Sequence, residues 1–195
     1  MDNELLIIRS HARDILGTSG SHGMDHTERV FSLCRYIGER EQADMGILLP
    51  AALLHDIARP REKETGLPHE AEGARMAEEF LISLHVEKRR ITKIAQAIRT
   101  HRFSSDERPE SLEAKILSDA DKLDAMGAHG IARTFLRAGE HGGGIDDAVA
   151  HFHEKLLLLK DRMYTTTGRA VAEERHAVLV SFLENLKNEQ ESRCS

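Results

Sequence analysis

The sequence predicts an all-α protein: a helical bundle with a C-terminal helical extension. Three observations carry that expectation. Apolar residues recur every three or four positions along nearly the whole chain, and few segments alternate with period two. The interruptions are Gly/Ser, charged or Pro-containing stretches of the kind that separate helices. A chain of 195 residues with 40% apolar content is also long enough to close one sizeable core, or one core plus a small extension. There is no internal repeat and no low-complexity tract.

The first helix is expected over about Asn3 to Leu16, where Leu5, Ile8, Ala12, Ile15 and Leu16 share a face. Gly17 to Gly23 is a Gly/Ser loop. The second helix is expected to begin near Asp25, with Asp25 as N-cap and Glu28 completing a capping box. Its inward stripe is Val30, Leu33, Cys34 and Ile37. A third helix is expected from Met45 to Ala58, stopping before Pro60. Arg59 to Leu67 reads as a charged loop, and Pro68 suits the first turn of the fourth helix. That helix carries Gly73, Ala74, Ala77, Phe80, Leu81 and Leu84. The fifth carries Ile91, Ile94, Ala95 and Ile98, and a polar loop, Phe103 to Glu110, follows. The sixth carries Ile116, Leu117, Ala120 and Leu123. The triple Gly within Gly139 to Gly144 marks a boundary. We therefore expect a core over residues 1–140 and an extension over 141–195 packed on the same domain. The extension holds a helix around Asp146 to Met163 and a last one from Gly168 to Lys187.

Composition narrows the function. No run of 18 apolar residues is present, and no basic-then-apolar leader, so neither a membrane span nor a signal peptide is expected. The two cysteines, Cys34 and Cys194, form no disulfide framework and fit a reducing cytoplasm. A net charge of -6 argues against nucleic-acid binding, and 4% aromatic content without Trp argues against a single-strand stacking platform. The unusual count is twelve histidines.

Their positions are informative. His26 lies four residues before Val30, and Asp56 lies four after Ala52, beside His55. His69 lies four before Gly73, His101 three after Ile98, and Asp121 four after Leu117. Residues three or four apart share a helix face. Five successive helices thus place ionisable groups in register with their apolar sides. A single histidine on such a face is usually a satisfied core residue. Four imidazoles and two carboxylates together are not, because a buried charge costs several kcal/mol unless it is paired or metal-bound. The set reads as a buried metal centre. His22 lies four before His26 but in the Gly-rich loop and reads as exposed, and His85, His129, His141, His151, His153 and His176 match no such register and read as surface or packing residues.

The segments "HGMDH", "TERV", "LLHD", "HEAEGA", "THR" and "SDADKLDA" resemble the HD-domain superfamily of metal-dependent phosphohydrolases. The resemblance spans about Leu5 to Thr134, and the tail "HFHEKLLLLKDRMYTTTGRAVAEER" is similar to that of small stand-alone bacterial and archaeal HD hydrolases. It implies an HD helical bundle and maps the His…His-Asp…Asp signature onto His26, His55, Asp56 and Asp121. In binuclear relatives, histidines at the positions of His69 and His101 serve a second ion, and the carboxylate matching Asp56 bridges the two. In small hydrolases the same two histidines contact substrate phosphate. The "GYP" signature of the cyclic-di-GMP subgroup is missing, so that substrate is not carried over.

Imidazole and carboxylate without thiolate suit Mn, Fe, Co, Ni or Zn, and Mg less well. One ion is expected, and the set admits two. Two carboxylates roughly neutralise one divalent ion, and two ions leave the site positive, which favours an anionic substrate. A metal lowers the pKa of bound water from about 15.7 to about 7. The expected reaction is attack of metal-bound hydroxide on a phosphate ester or anhydride of a small metabolite, a nucleotide above all. Asp56 and Lys122 are the expected catalytic residues, and Arg29, Arg59, Arg102 and Asp124 the expected substrate contacts. Asp124 could equally orient a ligand or pair with a nearby Arg. Two other readings share these residues: a mixed-valent di-iron oxygenase of the HD fold, and a non-catalytic nucleotide-binding HD module. The long C-terminal helices admit a homodimer.

Overall fold

The computed structural model describes residues 2–17, 23–102 and 107–191. The expected loop residues 18–22 with His22, the loop residues 103–106 and Cys194 lie outside them. Ten α-helices are described: α1 Asp2–Leu16, α2 Met24–Glu41, α3 Met45–Leu54, α4 Arg59–Thr65, α5 His69–Ser83, α6 Lys88–Arg99, α7 Leu112–Asp124, α8 Gly127–Glu140, α9 Ile145–Glu154 and α10 Thr166–Glu191. A 3-10 helix, Leu156–Arg162, lies between the last two. The described residues contain no strand, as an all-α fold requires.

The chain divides into two compact units, Met1–Asp121 and Lys122–Ser195. In the first, α3 is the central helix. Every residue from Ile47 to Leu54 is buried, as expected for a helix that is apolar on all sides. Helices α1, α2 and α6 pack on it, and α5 packs on α6. Asp44 caps α3 by accepting from the Gly46 N–H at 2.9 Å. Pro50 lies inside the helix and has no N–H for the Gly46 carbonyl. Arg90 of α6 fills that gap, its Nε donating to Gly46 O at 2.7 Å. Its other guanidinium nitrogens hold Glu4 of α1 at 2.6 and 3.0 Å.

Three boundaries differ from expectation near the site. Helix α3 ends at Leu54, not Ala58, and residues 55–58 form tight turns in which Ile57 N–H reaches Leu54 O and Arg59 N–H reaches Asp56 O. Pro60 starts a helix instead of merely ending one. It occupies the first turn of α4, where a missing N–H costs nothing. Gly66, at φ +66°, closes α4 after one further turn. The N-cap of α2 is Gly23, and Asp25 lies in the first turn, where its charge favours the helix dipole. Gly73 of α5 packs against the turn after α3, where an added Cβ would stand in ordinary contact, 3.4 Å from the His55 carbonyl oxygen.

In the second unit α8 forms where no element was expected, and its Gly130 is required by packing. An added Cβ there would stand 2.2 Å from the Ala125 carbonyl oxygen. The segment expected to be one helix from Asp146 to Met163 breaks at Lys155 into α9 and the 3-10 helix. Phe135, Phe152 and Phe182 join α8, α9 and α10, with ring centroids 5.7–6.1 Å apart. The glycine run Gly142–Gly144 connects α8 to α9 inside this unit.

Candidate metal centre

All six expected ligands lie in the first unit. His26 is in the first turn of α2, His55 and Asp56 in the turn after α3, and His69 opens α5. His101 follows α6, and Asp121 is on α7. His26, His55, Asp56, His69 and His101 are each at most 1% exposed. The Asp121 side chain keeps 26% of its surface.

Asp56 is the middle of the group. Its Oδ2 stands 3.6 Å from His26 Nε2 and 3.7 Å from His55 Nε2. Its Oδ1 stands 3.5 Å from His69 Nε2 and 3.8 Å from His101 Nε2. Asp121 Oδ1 lies 3.3 Å from His26 Nε2, and the Nε2 atoms of His26 and His55 are 3.3 Å apart. Each imidazole therefore turns the same nitrogen inward, and each oxygen of one carboxylate faces its own pair.

The outward nitrogens explain the inward ones. His55 Nδ1 donates to Ala52 O at 2.8 Å, and His101 Nδ1 donates to Ile98 O at 2.6 Å. Carbonyl and carboxylate oxygens only accept, so these protons sit on Nδ1 and leave Nε2 bare. His69 Nδ1 donates to Glu62 Oε1 at 3.0 Å. Its buried Nε2 has no hydrogen-bond partner at all.

The donor set fits a divalent ion. Donors about 2.0–2.2 Å from one ion stand roughly 3–3.5 Å apart, close to the spacing found. The orphaned, buried Nε2 of His69 is costly without a cation beside it. Among the described residues, three sets have donor atoms that all lie within 4.8 Å of one another: His26, His55 and Asp121; His55, Asp56 and His101; and Glu62, His69 and Glu70.

Electrostatics agree with ligation. Burial pushes His55 down to about 4, against the pull of Asp56, so it stays neutral at pH 7. Burial would raise Asp121, but the hydrogen bond and charge of His26 outweigh it and hold the carboxyl well below the usual range. Glu62 is likewise held down to about 2, its partial burial outweighed by the His69 hydrogen bond and by Arg59.

Two of the expected phosphate-binding cations stand beside this cluster. Arg59 Nε is 3.3 Å from Asp56 Oδ1, and its Nη1 is 3.0 Å from Glu62 Oε2. Arg102 Nη1 lies 3.2 Å from Glu70 Oε2 and 3.5 Å from Glu62 Oε1. Arg29 is half-buried on α2, one turn past His26. Lys122 and Asp124 belong to the second unit. There Lys122 is buried with its ammonium 4.6 Å above the Tyr164 ring, and Asp124 is buried and paired with Arg133. Glu62 and Glu70 went unforeseen as site residues. The signal for Glu70 was its place next to His69 in the sequence, and Glu62 had none while its segment read as loop.

Residues 23–126 match the HD domain family model. The chain belongs to the HD-domain family. Its likeness to relatives extends beyond the matched segment. It is 38% identical over 191 residues to the Bacillus subtilis protein YpgQ, covering 93% of this chain and 91% of YpgQ. The crystal structure of YpgQ in complex with ADP superimposes with a TM-score of 0.79 at 35% identity, over 95% of this chain and 97% of that one. An HD-superfamily hydrolase from Bacillus thuringiensis gives 0.80 at 31% identity, over 97% and 98%. A predicted HD-superfamily hydrolase from an uncultured Thermotogales bacterium gives 0.72 at 33%, over 96% and 92%. The last two are described as HD-superfamily hydrolases, and the fold supports the metal-dependent phosphohydrolase class in general. No helix among the described residues is long and apolar enough to cross a membrane.

Proposed function

We propose that this HD protein is a metal-dependent phosphohydrolase that cleaves a phosphate ester or anhydride of a small metabolite, a nucleotide above all. One observation carries the reading: a single buried carboxylate, Asp56, turns one oxygen to His26 and His55 and the other to His69 and His101. His26, His55, Asp56 and Asp121 would hold one divalent ion, and His69, His101 and the other oxygen of Asp56 a second. Mn, Fe, Co, Ni and Zn suit these nitrogen and oxygen donors best. When bound, such ions supply Lewis acidity, which activates water and polarises a phosphoryl oxygen.

The chain's own residues do the rest. His55 and His101 are held by backbone carbonyls, so their bare nitrogens stay aimed without rearrangement. Arg59 and Arg102 exchange carboxylate partners for phosphate oxygens, and Arg29 adds a further cation. Buried walls from α2, α3 and α5 exclude water around the carboxylate. A nucleotide is favoured because the similar YpgQ was crystallised with ADP. A cytoplasmic setting fits the reduced, buried Cys34.

The test is product analysis on metal-stripped protein re-supplied with Mn, Co, Ni, Mg or Fe. The panel is nucleotides and sugar phosphates, with Asp56→Ala as control. Metal-dependent release of phosphate or pyrophosphate, lost in the variant, is the expected result. Bound iron with oxygen uptake and no phosphate release would overturn it in favour of the oxygenase reading.

A further inference from the structure

His69 is held differently from the other ligands. His55 and His101 give their Nδ1 protons to carbonyls of their own chain segments. His69 is the first residue of α5, and its acceptor is the Glu62 side chain on the short helix α4, seven residues earlier. Glu62 also lies 3.5 Å from the His69 backbone N–H, where the Pro68 N-cap offers no side-chain acceptor. Its second oxygen binds Arg59 Nη1 at 3.0 Å, and Arg59 Nε reaches Asp56 Oδ1 at 3.3 Å. His69 Nε2 faces that same oxygen at 3.5 Å. Asp56, Arg59, Glu62 and His69 thus close a ring of four side chains.

The ring has a weak point. An imidazole proton moves to whichever nitrogen has the better acceptor. Without Glu62, the carboxylate oxygen facing the inward nitrogen of His69 is Asp56 Oδ1 at 3.5 Å. The proton would then sit on Nε2, the nitrogen that must stay bare to bind an ion. Glu70 Oε2, 3.2 Å from Nδ1 and shared with Arg102 at 3.2 Å, is the competing acceptor on that side.

We propose that Glu62 is a positioning residue: its carboxylate keeps the His69 proton on Nδ1, and so decides whether the half of the centre built on His69, His101 and Asp56 Oδ1 loads with an ion. The half built on His26, His55 and Asp121 does not depend on it. This rests on the two-ion form of the reading above.

The experiment is Mn²⁺ equilibrium dialysis with electron paramagnetic resonance on the wild type, Glu62→Ala and Glu62→Gln. It is paired with ¹⁵N histidine spectra of the metal-free proteins. The Glu62 side chain is 27% exposed, so its loss leaves the core intact, and melting of the metal-free variants checks this. The wild type is expected to bind two ions and to show the signal of a coupled pair. Glu62→Ala should keep the first ion at unchanged affinity, weaken the second about 10- to 100-fold and lose the coupled signal. Its His69 spectrum should change from the Nδ1–H to the Nε2–H form. Glu62→Gln keeps an accepting oxygen and should retain the Nδ1–H form and most of the second-ion affinity. Two ions bound normally by Glu62→Ala, or equal weakening of both ions, would overturn the assignment. A wild type that binds one ion would instead overturn the two-ion reading beneath it, while the spectra still decide the tautomer.

Discussion

The two halves of the centre are built from the same residue types but are anchored differently. His26 and His55 rise from α2 and the end of α3, and α3 is buried from Ile47 to Leu54. His69 stands at the start of α5 and takes its orientation from Glu62, a partly exposed side chain on a seven-residue helix that also binds two arginines. One half is fixed by the core. The other depends on a carboxylate that also pairs with Arg59 and Arg102. If both halves load as proposed, the comparison teaches that two sites sharing one carboxylate need not share one affinity.

The most severe way to break the comparison is Asp56→Ala, which removes the oxygen of both halves at once. Metal analysis after dialysis should find neither ion, and hydrolysis should fall to background. If one ion stays tightly bound, Asp56 is not common to both halves. A smaller change separates them. His26→Gln should abolish the first ion, whereas His101→Gln should leave the first in place and weaken only the second, both read by calorimetric titration with Mn²⁺. Equal effects would mean that the centre loads as one unit. Smaller again is Arg102→Ala. It loosens Glu62 and Glu70 without touching a ligand, so second-ion affinity should change by less than the about 10-fold lower bound typical of lost supporting contacts. The Michaelis constant for a phosphorylated substrate should rise.

Much of this centre was legible in the sequence, because a helix converts spacing into direction. Val30, Ala52, Gly73, Ile98 and Leu117 mark buried faces, and the ligands lie one helical step from each. For His55 and Asp56 the register pointed correctly although α3 ends before them, since tight turns keep successive residues as close as a helix does. Helix α4 was not legible by periodicity. "RPREKET" has no apolar stripe, and its only signals are the proline in its first turn and the glycine after its end. Glu62 was hidden with it. Helix α8 was assigned no element in the sequence, and "GAHGIARTFLRAGE" carries two glycines in its first turn, which weaken the helical signal there. The Arg102 contacts with Glu62 and Glu70 are long-range pairings, which spacing does not encode, whereas Arg59 and Glu62 are three residues apart on α4 and stayed hidden only while that segment read as loop.

The smallest expected effect on the centre comes from the brace behind its rigid half. Pro50 leaves the Gly46 carbonyl without its helical donor, and Arg90 Nε supplies one at 2.7 Å while holding Glu4. Arg90→Met keeps much of the aliphatic volume but removes both bonds. It should cost about 1–3 kcal/mol, the penalty of leaving a partly buried acceptor unsatisfied. Pro50→Ala restores the missing N–H, so the helix can satisfy Gly46 itself. In that background the Arg90 substitution should cost measurably less, and the coupling between the two sites, measured by urea denaturation, should be about 0.5 kcal/mol or more. First-ion affinity should not change in any of the four proteins, because His55 is oriented by Ala52 O rather than by the start of α3. A first-ion affinity that tracked stability across this cycle would show that the core-anchored half is held by overall helix packing rather than by that single backbone bond.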